Sequence, residues 1–268
     1  ERIRHIDVDL NYGAGGGFLL ERALRVARGE YFKFFCADDL LLPDYLEKTI
    51  EFLKKNPDVS LCFTDGEYIN SEDKIIDKSW LKRKKLNPRV TNDELLQKLM
   101  KAHNVLLYPS AICKTKCLRA IEVNRSFIML YDAALWSEFI INDYPVAILS
   151  EPLVKYRIHS NQVSYPGHCE YNEYLVRLEF SSYWKIFQKI KDLRLIKKIW
   201  PDDPWMDKLD LGDIPFFVAH KFLTIEGFKN ISYGYFIEVF QDVSLCKYYQ
   251  NKFNYGIREL RDEVKCNF

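Results

Sequence analysis

The chain has 268 residues, 48% of them hydrophobic and 29% charged, as expected of a folded globular protein rather than a disordered one. Its 39 Lys and Arg residues nearly balance 38 Asp and Glu residues, and this balance argues against nucleic acid as a partner. No apolar run approaches the roughly 18 residues that a membrane-spanning helix requires. Seven cysteines at irregular spacings indicate reduced thiols in a cytoplasmic protein.

The first part of the chain alternates short apolar runs with amphipathic segments. This pattern predicts strands at 3–8, 31–35 and 59–63, a glycine-rich loop at 13–17, and helices at 19–27 and 43–55. The second helix has Pro43 at its first position and Asn56-Pro57 at its end. The near-continuous apolar character of 31–35 indicates a strand of a parallel sheet.

The following segments predict a second series of elements. Asp65-Gly66 indicates a tight turn, and the polar stretch 74–89 indicates a surface loop whose basic run, 82–85, is solvated. Thr91 and Glu94 form a capping box for a helix that continues to Met100. Extended segments are expected at 105–108 and 111–113, a helix at 130–141 and a last strand at 153–158.

This alternation predicts an α/β fold, in which a mostly parallel sheet is flanked by helices and the site lies at the carboxyl ends of the strands. We place this domain at residues 1–165. From residue 166 to 268 the pattern changes to aromatic-rich helical segments, and 171–199 is expected to form one long helix that ends before Pro201.

Three separated groups point to chemistry. Asp38 and Asp39 follow the apolar strand 31–35, where paired carboxylates can bind a divalent cation or cap the next helix. Asp132 opens a helix and is either a general base or a cap. His159, in the sequence Tyr-Arg-Ile-His, is either a metal ligand or a hydrogen-bonded structural histidine. Trp136, one turn after Asp132, is either part of an acceptor platform or a core residue.

Residues 23–65 read ALRVARGEYFKFFCADDLLLPDYLEKTIEFLKKNPDVSLCFTD, 130–136 read LYDAALW, and 151–164 read EPLVKYRIHSNQVS. In this order the three segments resemble the metal-motif, catalytic-base and closing segments of the inverting, GT-A-fold glycosyltransferases of family two. The resemblance extends over residues 11–164 and does not cover the helical remainder. It implies a GT-A-type, Rossmann-like core and a hexosyltransferase-like activity.

The resemblance also implies roles for individual residues. Asp38 and His159 would bind a divalent cation, Mn²⁺ or Mg²⁺, and Asp39 would orient a water or a ribose hydroxyl of the donor. Asp132 would remove the proton of the acceptor hydroxyl, and Arg157 would pair with a phosphate or brace the acidic cluster. The implied partners are a nucleotide-diphosphate sugar and a glycan or lipid-linked acceptor, in surface polysaccharide or glycolipid assembly.

Three departures from the family pattern leave an alternative open. Cys36 stands where the metal motif usually begins with Asp, and Tyr131 stands where the base segment usually has Glu. The chain also starts after the strand–helix–strand unit that holds the nucleotide base in the family, so we expect a fragment or a shortened protein. The alternative is a non-catalytic GT-A-like module that binds a glycan or scaffolds a partner.

The segment 185–200 has an apolar stripe flanked by basic residues. A helix of this kind can lie on an anionic membrane surface, or it can pack its stripe on the protein core. The first option predicts a peripheral contact at the inner face of the membrane.

Overall fold

The computed structural model describes residues 5–6, 16–100, 104–122, 127, 129–162, 179, 182–225 and 228–267. The chain divides into two compact units, Glu1–Leu175 and Val176–Phe268. Most of the predicted strand at 3–8 and most of the loop at 13–17 lie outside the described residues.

The described part of the first unit contains six α-helices, a short 3-10 helix (Tyr108–Ser110) and six strands. The helices are α1 (Gly16–Val26), α2 (Tyr45–Lys55), α3 (Trp80–Arg83), α4 (Asn92–Met100), α5 (Thr115–Ala120) and α6 (Tyr131–Ile141). The strands are β1 (Tyr31–Lys33), β2 (Leu40–Leu41), β3 (Leu61–Ile69), β4 (Ile75–Asp77), β5 (Ile112–Lys114) and β6 (Val146–Arg157). The capping box that starts α4 is confirmed, since Thr91 N–H donates to Glu94 and Glu94 N–H donates to Thr91 Oγ1.

These strands form one sheet in the order β1-β5-β3-β6-β2, with β4 paired to β3. Among the described pairings, only β3–β6 is parallel, and the other four are antiparallel. The α/β architecture is as predicted, but the sheet is mixed rather than mostly parallel. The reason is local, because β4 returns from β3 through a tight turn at 70–74 and the short strands β1 and β2 pair antiparallel with distant neighbours.

Two predicted loops are regular structure instead. Asp65-Gly66 lies inside β3, at an irregularity of the β3–β6 ladder, rather than in a turn. The segment 74–89 contains β4 and α3 rather than an irregular loop. Asp65 connects the two observations, because its carboxylate accepts hydrogen bonds from Ser79 Oγ and the Leu81 N–H and so fixes the start of α3.

The core of the first unit surrounds the central strand β3 and helix α6. Every residue of β3 except Glu67 is buried, since the strand lies in the middle of the sheet. In α6 all residues except Asp132 and Ile141 are buried, as expected of a helix that is apolar on all sides. Trp136 is fully buried and packs edge-on against Phe34 and Phe63, so it is a core residue rather than part of an acceptor platform.

The second unit is helical over the residues that the structure describes. Its longer helices are Ile214–Phe222, Lys229–Gln241, Val243–Phe253 and Ile257–Asn267. The long helix expected at 171–199 is interrupted, because the helical residues 182–187 are followed by a turn and a new helix, Leu193–Ile199, capped by Asp192. Residues 163–178 and 180–181 lie outside the described part.

This interruption also corrects the membrane prediction for 185–200. Ile186, Ile190 and Ile196, three members of the apolar stripe, are at most 3% exposed, so these side chains pack within the protein. Among the described residues, none of the helices has both the length and the apolar character needed to cross a bilayer.

Candidate active site

An acidic loop connects β1 to β2 and carries Cys36, Asp38 and Asp39. Its position is set by β6, because Leu40 of β2 pairs with Lys155 and the Arg157 N–H donates to Asp39 Oδ1 at 2.8 Å. Helix α2 begins later, with Asp44 as its N-cap residue. Neither Asp38 nor Asp39 caps this helix, and the capping alternative is therefore excluded.

Arg157 braces the acidic loop. Its Nε donates to the backbone oxygen of Asp38 at 2.7 Å, and another guanidinium nitrogen donates to the oxygen of Asn70 at 2.9 Å. The third nitrogen forms an ion pair with Asp73. Every guanidinium nitrogen is thus engaged with the protein itself, and these contacts favour the bracing role over phosphate binding.

His159 lies beside Asp38, with its Nε2 3.1 Å from Asp38 Oδ2. The backbone N–H of Asn161 donates to His159 Nδ1 at 3.2 Å. An Nδ1 that accepts a hydrogen bond carries no proton, so in the neutral ring Nε2 holds the proton and donates it to Asp38. A cation bound by Nε2 would have to displace that proton.

The loop concentrates potential ligand atoms in a partly desolvated place. One ligand atom each of Cys36, Asp38 and Asp39 lies within 4.8 Å of the others. Burial, opposed by the Arg157 N–H and supported by the charge of Asp38, raises the pKa of Asp39 to about 6. Burial and the neighbouring carboxylates raise the pKa of the Cys36 thiol to about 12, and the thiol is therefore protonated at neutral pH.

This arrangement fits a divalent cation. Asp39 is only 4% exposed, and its Oδ2 has no hydrogen-bond partner among the described residues. A buried carboxylate oxygen without a partner is costly, and a cation is one way to satisfy it. Carboxylate oxygens with one imidazole nitrogen suit Mn²⁺, and the oxygens alone suit Mg²⁺. The protonated Cys36 is a poor ligand for either ion.

Asp132 stands in the first turn of α6, where the helix dipole favours a negative charge. Its Oδ1 accepts the Ala133 N–H at 2.7 Å, and its Oδ2 accepts a hydrogen bond from Asn104 Nδ2. The N-cap residue of α6 is Leu130, so Asp132 is not the cap. Its carboxylate is held from two sides in one orientation.

A cleft of about 730 Å³ joins the acidic loop to the start of α6. Asp38, Asp39 and Asp132 all line it, and His159 lies next to it through Asp38. The structure thus brings Asp38, His159 and Asp132 to one part of the first unit. The other polar lining residues include Asn104, Arg83, Lys84 and Gln162.

Tyr131 also lines the cleft, at the position where the resemblance leads one to expect Glu. Its ring packs against Gly16 so closely that a Cβ added to that glycine would lie 2.5 Å from the ring. The ring also contacts Tyr108 edge-on. The buried Tyr131 hydroxyl has no hydrogen-bond partner among the described residues.

Sequence patterns did not indicate four cleft residues: Asn104, Trp80, Arg83 and Lys84. Asn104 is separated from Asp132 by 28 positions, and no local pattern connects the two. The basic run 82–85 is visible in the sequence, but only the position of α3 shows that Arg83 and Lys84 face the cleft while Lys82 does not line it. The one sequence feature that could have indicated this position is Trp80, two residues before the run.

Part of the chain is similar in sequence to known glycosyltransferases. Residues 1–116 match the family described as glycosyl transferase family 2. An uncharacterized glycosyltransferase of Methanocaldococcus jannaschii, MJ1057, is 28% identical over 185 residues, which are 69% of this chain and 60% of the relative. An uncharacterized glycosyltransferase of Haemophilus influenzae is 27% identical over 180 residues, 64% of this chain and 54% of the relative.

This chain therefore spans a little more than half of the length of each of these relatives. Among solved structures, S. aureus TarS matches with a TM-score of 0.47 and 16% identity over 72% of this chain and 31% of that protein. The family match, the mixed sheet and the flanking helices agree with the predicted GT-A-type α/β fold. The stretch that matches glycosyl transferase family 2, residues 1–116, includes the acidic loop but neither Asp132 nor His159.

Proposed function

We propose that this chain is the core of a metal-dependent, inverting glycosyltransferase that moves a hexosyl group from a nucleotide-diphosphate sugar to an acceptor hydroxyl. The observation that carries the proposal is the single cleft lined by both Asp38 and Asp132. A sugar transfer needs a cation site for the diphosphate and, within reach of the same sugar, a base for the acceptor.

Asp132 is the proposed base. The hydrogen bond from Asn104 and the Ala133 N–H hold its carboxylate, and the start of α6 stabilises its negative charge. As the acceptor oxygen attacks the anomeric carbon, Asp132 takes its proton. Attack from the face opposite the departing diphosphate inverts the configuration at that carbon.

Asp38 and His159 are the proposed ligands of the cation, with Asp39 orienting a water or a ribose hydroxyl. When bound, Mn²⁺ or Mg²⁺ would stabilise the negative charge that develops on the diphosphate. Asp39 Oδ2 has no hydrogen-bond partner among the described residues, and this observation supports the binding of a cation beside it. Arg157 acts on the site indirectly, because it fixes the backbone of Asp38 and the carboxylate of Asp39.

Binding of Mn²⁺ tests the first half of the proposal. We expect Mn²⁺ to bind the full-length protein together with a nucleoside diphosphate, as followed by electron paramagnetic resonance, and EDTA to abolish sugar transfer. Asp38→Asn should weaken Mn²⁺ at least about tenfold. Asp58→Asn, which removes an exposed carboxylate outside the cleft, is the matched control. Equal Mn²⁺ affinity in the two variants would exclude Asp38 as a ligand.

Transfer and hydrolysis assays test the second half. Asp132→Asn should lower transfer by about 10² to 10⁴ while Mn²⁺ affinity stays unchanged. The control is Asp143→Asn, at an exposed left-handed position after α6 where asparagine is well tolerated. Full transfer by Asp132→Asn would contradict the assignment of the base.

The alternative of a non-catalytic glycan-binding or scaffolding module predicts a different result. Such a module would bind glycan in calorimetry and ignore both Mn²⁺ and nucleotide sugar. Cys36 and Tyr131, two of the departures from the family pattern, favour it. Two observations favour the enzyme instead. Asp39 Oδ2 has no hydrogen-bond partner among the described residues, and the Asp132 carboxylate is oriented by hydrogen bonds from Asn104 and the Ala133 N–H. We further propose a cytoplasmic location and a role in surface polysaccharide or glycolipid assembly.

A further inference from the structure

A second group of side chains lines the same cleft, and the proposed reaction does not use it. We call this group the aromatic–basic subsite: Tyr68, Trp80, Arg83, Lys84 and Tyr156. Tyr68 comes from the end of β3 and Tyr156 from the end of β6. The other three residues lie in helix α3 or directly after it. Ser79 caps α3 by accepting the Lys82 N–H, and Asp65 in turn accepts hydrogen bonds from Ser79 and Leu81. The helix is therefore anchored to the sheet.

The three rings of the subsite pack on one another. Tyr68 and Trp80 stack with centroids 5.3 Å apart and an interplanar angle of 13°, and Tyr156 contacts both edge-on. Trp80 is further fixed by its Nε1, which donates to the backbone oxygen of Val105 at 2.7 Å. This packing makes a rigid wall of the cleft.

Two cations lie on this wall. The guanidinium of Arg83 is 4.5 Å from the ring centroid of Tyr68, and Nζ of Lys84 is 4.9 Å from that of Trp80. The carboxylate paired with Arg83 belongs to Asp77 and lies 3.9 Å away, too far for a strong ion pair. Within the described part of the chain, no carboxylate forms an ion pair with Lys84.

The charge of Lys84 is therefore not neutralised by these residues. Burial lowers its pKa most, and the neighbouring Arg83 lowers it further. A partly desolvated cation beside a second cation is unfavourable unless an anion joins them. Arg83 and Lys84 belong to the basic run 82–85, and of its four residues only these two line the cleft.

We propose that the aromatic–basic subsite binds the anionic group of the acceptor, a saccharide that carries a phosphate or a carboxylate. Arg83 would form paired hydrogen bonds to its oxygens, and Lys84 would supply a second charge. The assignment to the acceptor rests on the proposed function, in which the donor diphosphate lies at the acidic loop with its cation. Anion binding itself does not depend on that function.

Titrations of the full chain with glucose 6-phosphate, glucuronate and glucose test this proposal, followed by saturation-transfer NMR. We expect at least one of the two anionic sugars to bind about tenfold or more tightly than glucose. The double variant Arg83→Gln/Lys84→Gln should lose this preference. Lys82→Gln, which removes an exposed cation of the same helix outside the cleft, should keep it. The charge-conserving Lys84→Arg should also keep it.

The two anionic sugars differ only in their charged group, so preference for one identifies a phosphate or a carboxylate as the ligand. Equal binding of all three sugars, or an unchanged preference in the double variant, overturns the proposal. A parallel titration with UDP and Mn²⁺ shows whether the subsite binds the acceptor or the donor. Loss of UDP affinity in the double variant would assign the two cations to the donor and overturn the acceptor assignment.

The same data separate this inference from the proposed function. If the proposed function fails, UDP and Mn²⁺ binding will be insensitive to Asp38→Asn while the preference for anionic sugars persists. If the subsite fails, the preference will be absent while Asp38→Asn still weakens the binding of UDP and Mn²⁺.

Discussion

Lys33, the last residue of β1, has its ammonium group among backbone oxygens rather than in solvent. Its Nζ donates to the oxygens of Phe34, Pro109 and Ala111 and lies 4.3 Å from the ring centroid of Tyr45. The carbonyl oxygens favour the charged form, but burial opposes it and lowers the pKa of Lys33 to about 7. Electrostatic attraction to Asp39 reduces this shift only in part.

The lowered pKa of Lys33 predicts a pH-dependent stability. Between about pH 7 and pH 10 the unfolded chain binds a proton at this lysine that the folded chain lacks, so the free energy of unfolding should rise with pH. From pH 7 to 9 the expected gain is about 2 kcal/mol. Urea unfolding at both pH values measures it, and Lys33→Met, which has no titrating group, should show a gain smaller by that amount. The same gain in both proteins would contradict the assignment.

Asn104 predicts a second effect at the scale of single residues. Its Oδ1 accepts the Leu106 N–H at 3.0 Å, and this contact directs its Nδ2 toward Asp132. Asn104→Ala should lower transfer about tenfold, since the base loses the hydrogen bond that Asn104 donates to its carboxylate. Asn104→Asp should lower it further, because two carboxylates would face each other. Mn²⁺ affinity serves as the control and should stay unchanged, and a parallel loss of Mn²⁺ binding would indicate a general structural defect.

The residues that could be predicted from the sequence are those inside long patterned segments. Asp38, Asp132 and His159 were found because each lies in a recognisable stretch, and the structure brings all three to one place. Asn104 and Lys84 were missed because their roles arise from contacts with residues far away in the chain. A lone polar residue between two elements carries no periodic or capping signal that would reveal such a contact.

At the scale of elements, the irregularity in β3 leads to a prediction for Gly66. A Cβ added there would lie 2.5 Å from Leu107 Cδ2 and 3.1 Å from the backbone oxygen of Val154. Leu107 is only 2% exposed and has little room to move. Gly66→Ala should therefore lower the free energy of unfolding by about 1–3 kcal/mol, as measured by urea denaturation.

Gly234 is the matched control for Gly66→Ala. It lies on the exposed side of the helix Lys229–Gln241, and a Cβ added there would have no neighbour within 4 Å. Gly234→Ala should not destabilise the protein and should raise helix stability by about 0.5–1 kcal/mol. A stable Gly66→Ala variant would mean that β3 and β6 can separate locally at no cost.

Helix positions were predicted better than strand partners, and the difference has a physical reason. Caps and end signals are local, so Thr91 with Glu94 and Asn56-Pro57 were sufficient to bound two helices. The neighbour of a strand is chosen by tertiary packing, which a single sequence does not display. The segment 31–35 was therefore expected to be parallel, whereas β1 pairs antiparallel with β5. In 185–198 the apolar stripe was predicted correctly. The single helix expected to present this stripe to a membrane is divided by a turn.

At the scale of the whole molecule, the chain is nearly neutral, but acidic and basic side chains are concentrated in different places. Acidic groups collect at the loop after β1, while Arg83 and Lys84 lie on another wall of the same cleft. Net charge is a sum over the chain and cannot reveal such a pattern. All of these groups lie between residues 36 and 162, within the first compact unit.

The confinement of the site to one unit predicts where a bound cation will stabilise the protein. A ligand that binds only the folded site adds about 2.7 kcal/mol at a free concentration of about 100 times its Kd. Saturating Mn²⁺ should therefore slow amide hydrogen exchange in β3 and β6, the strands beside the acidic loop. Asp38→Asn should remove the effect, and Asp58→Asn should keep it. Slower exchange that persists in Asp38→Asn would place the cation elsewhere in the chain.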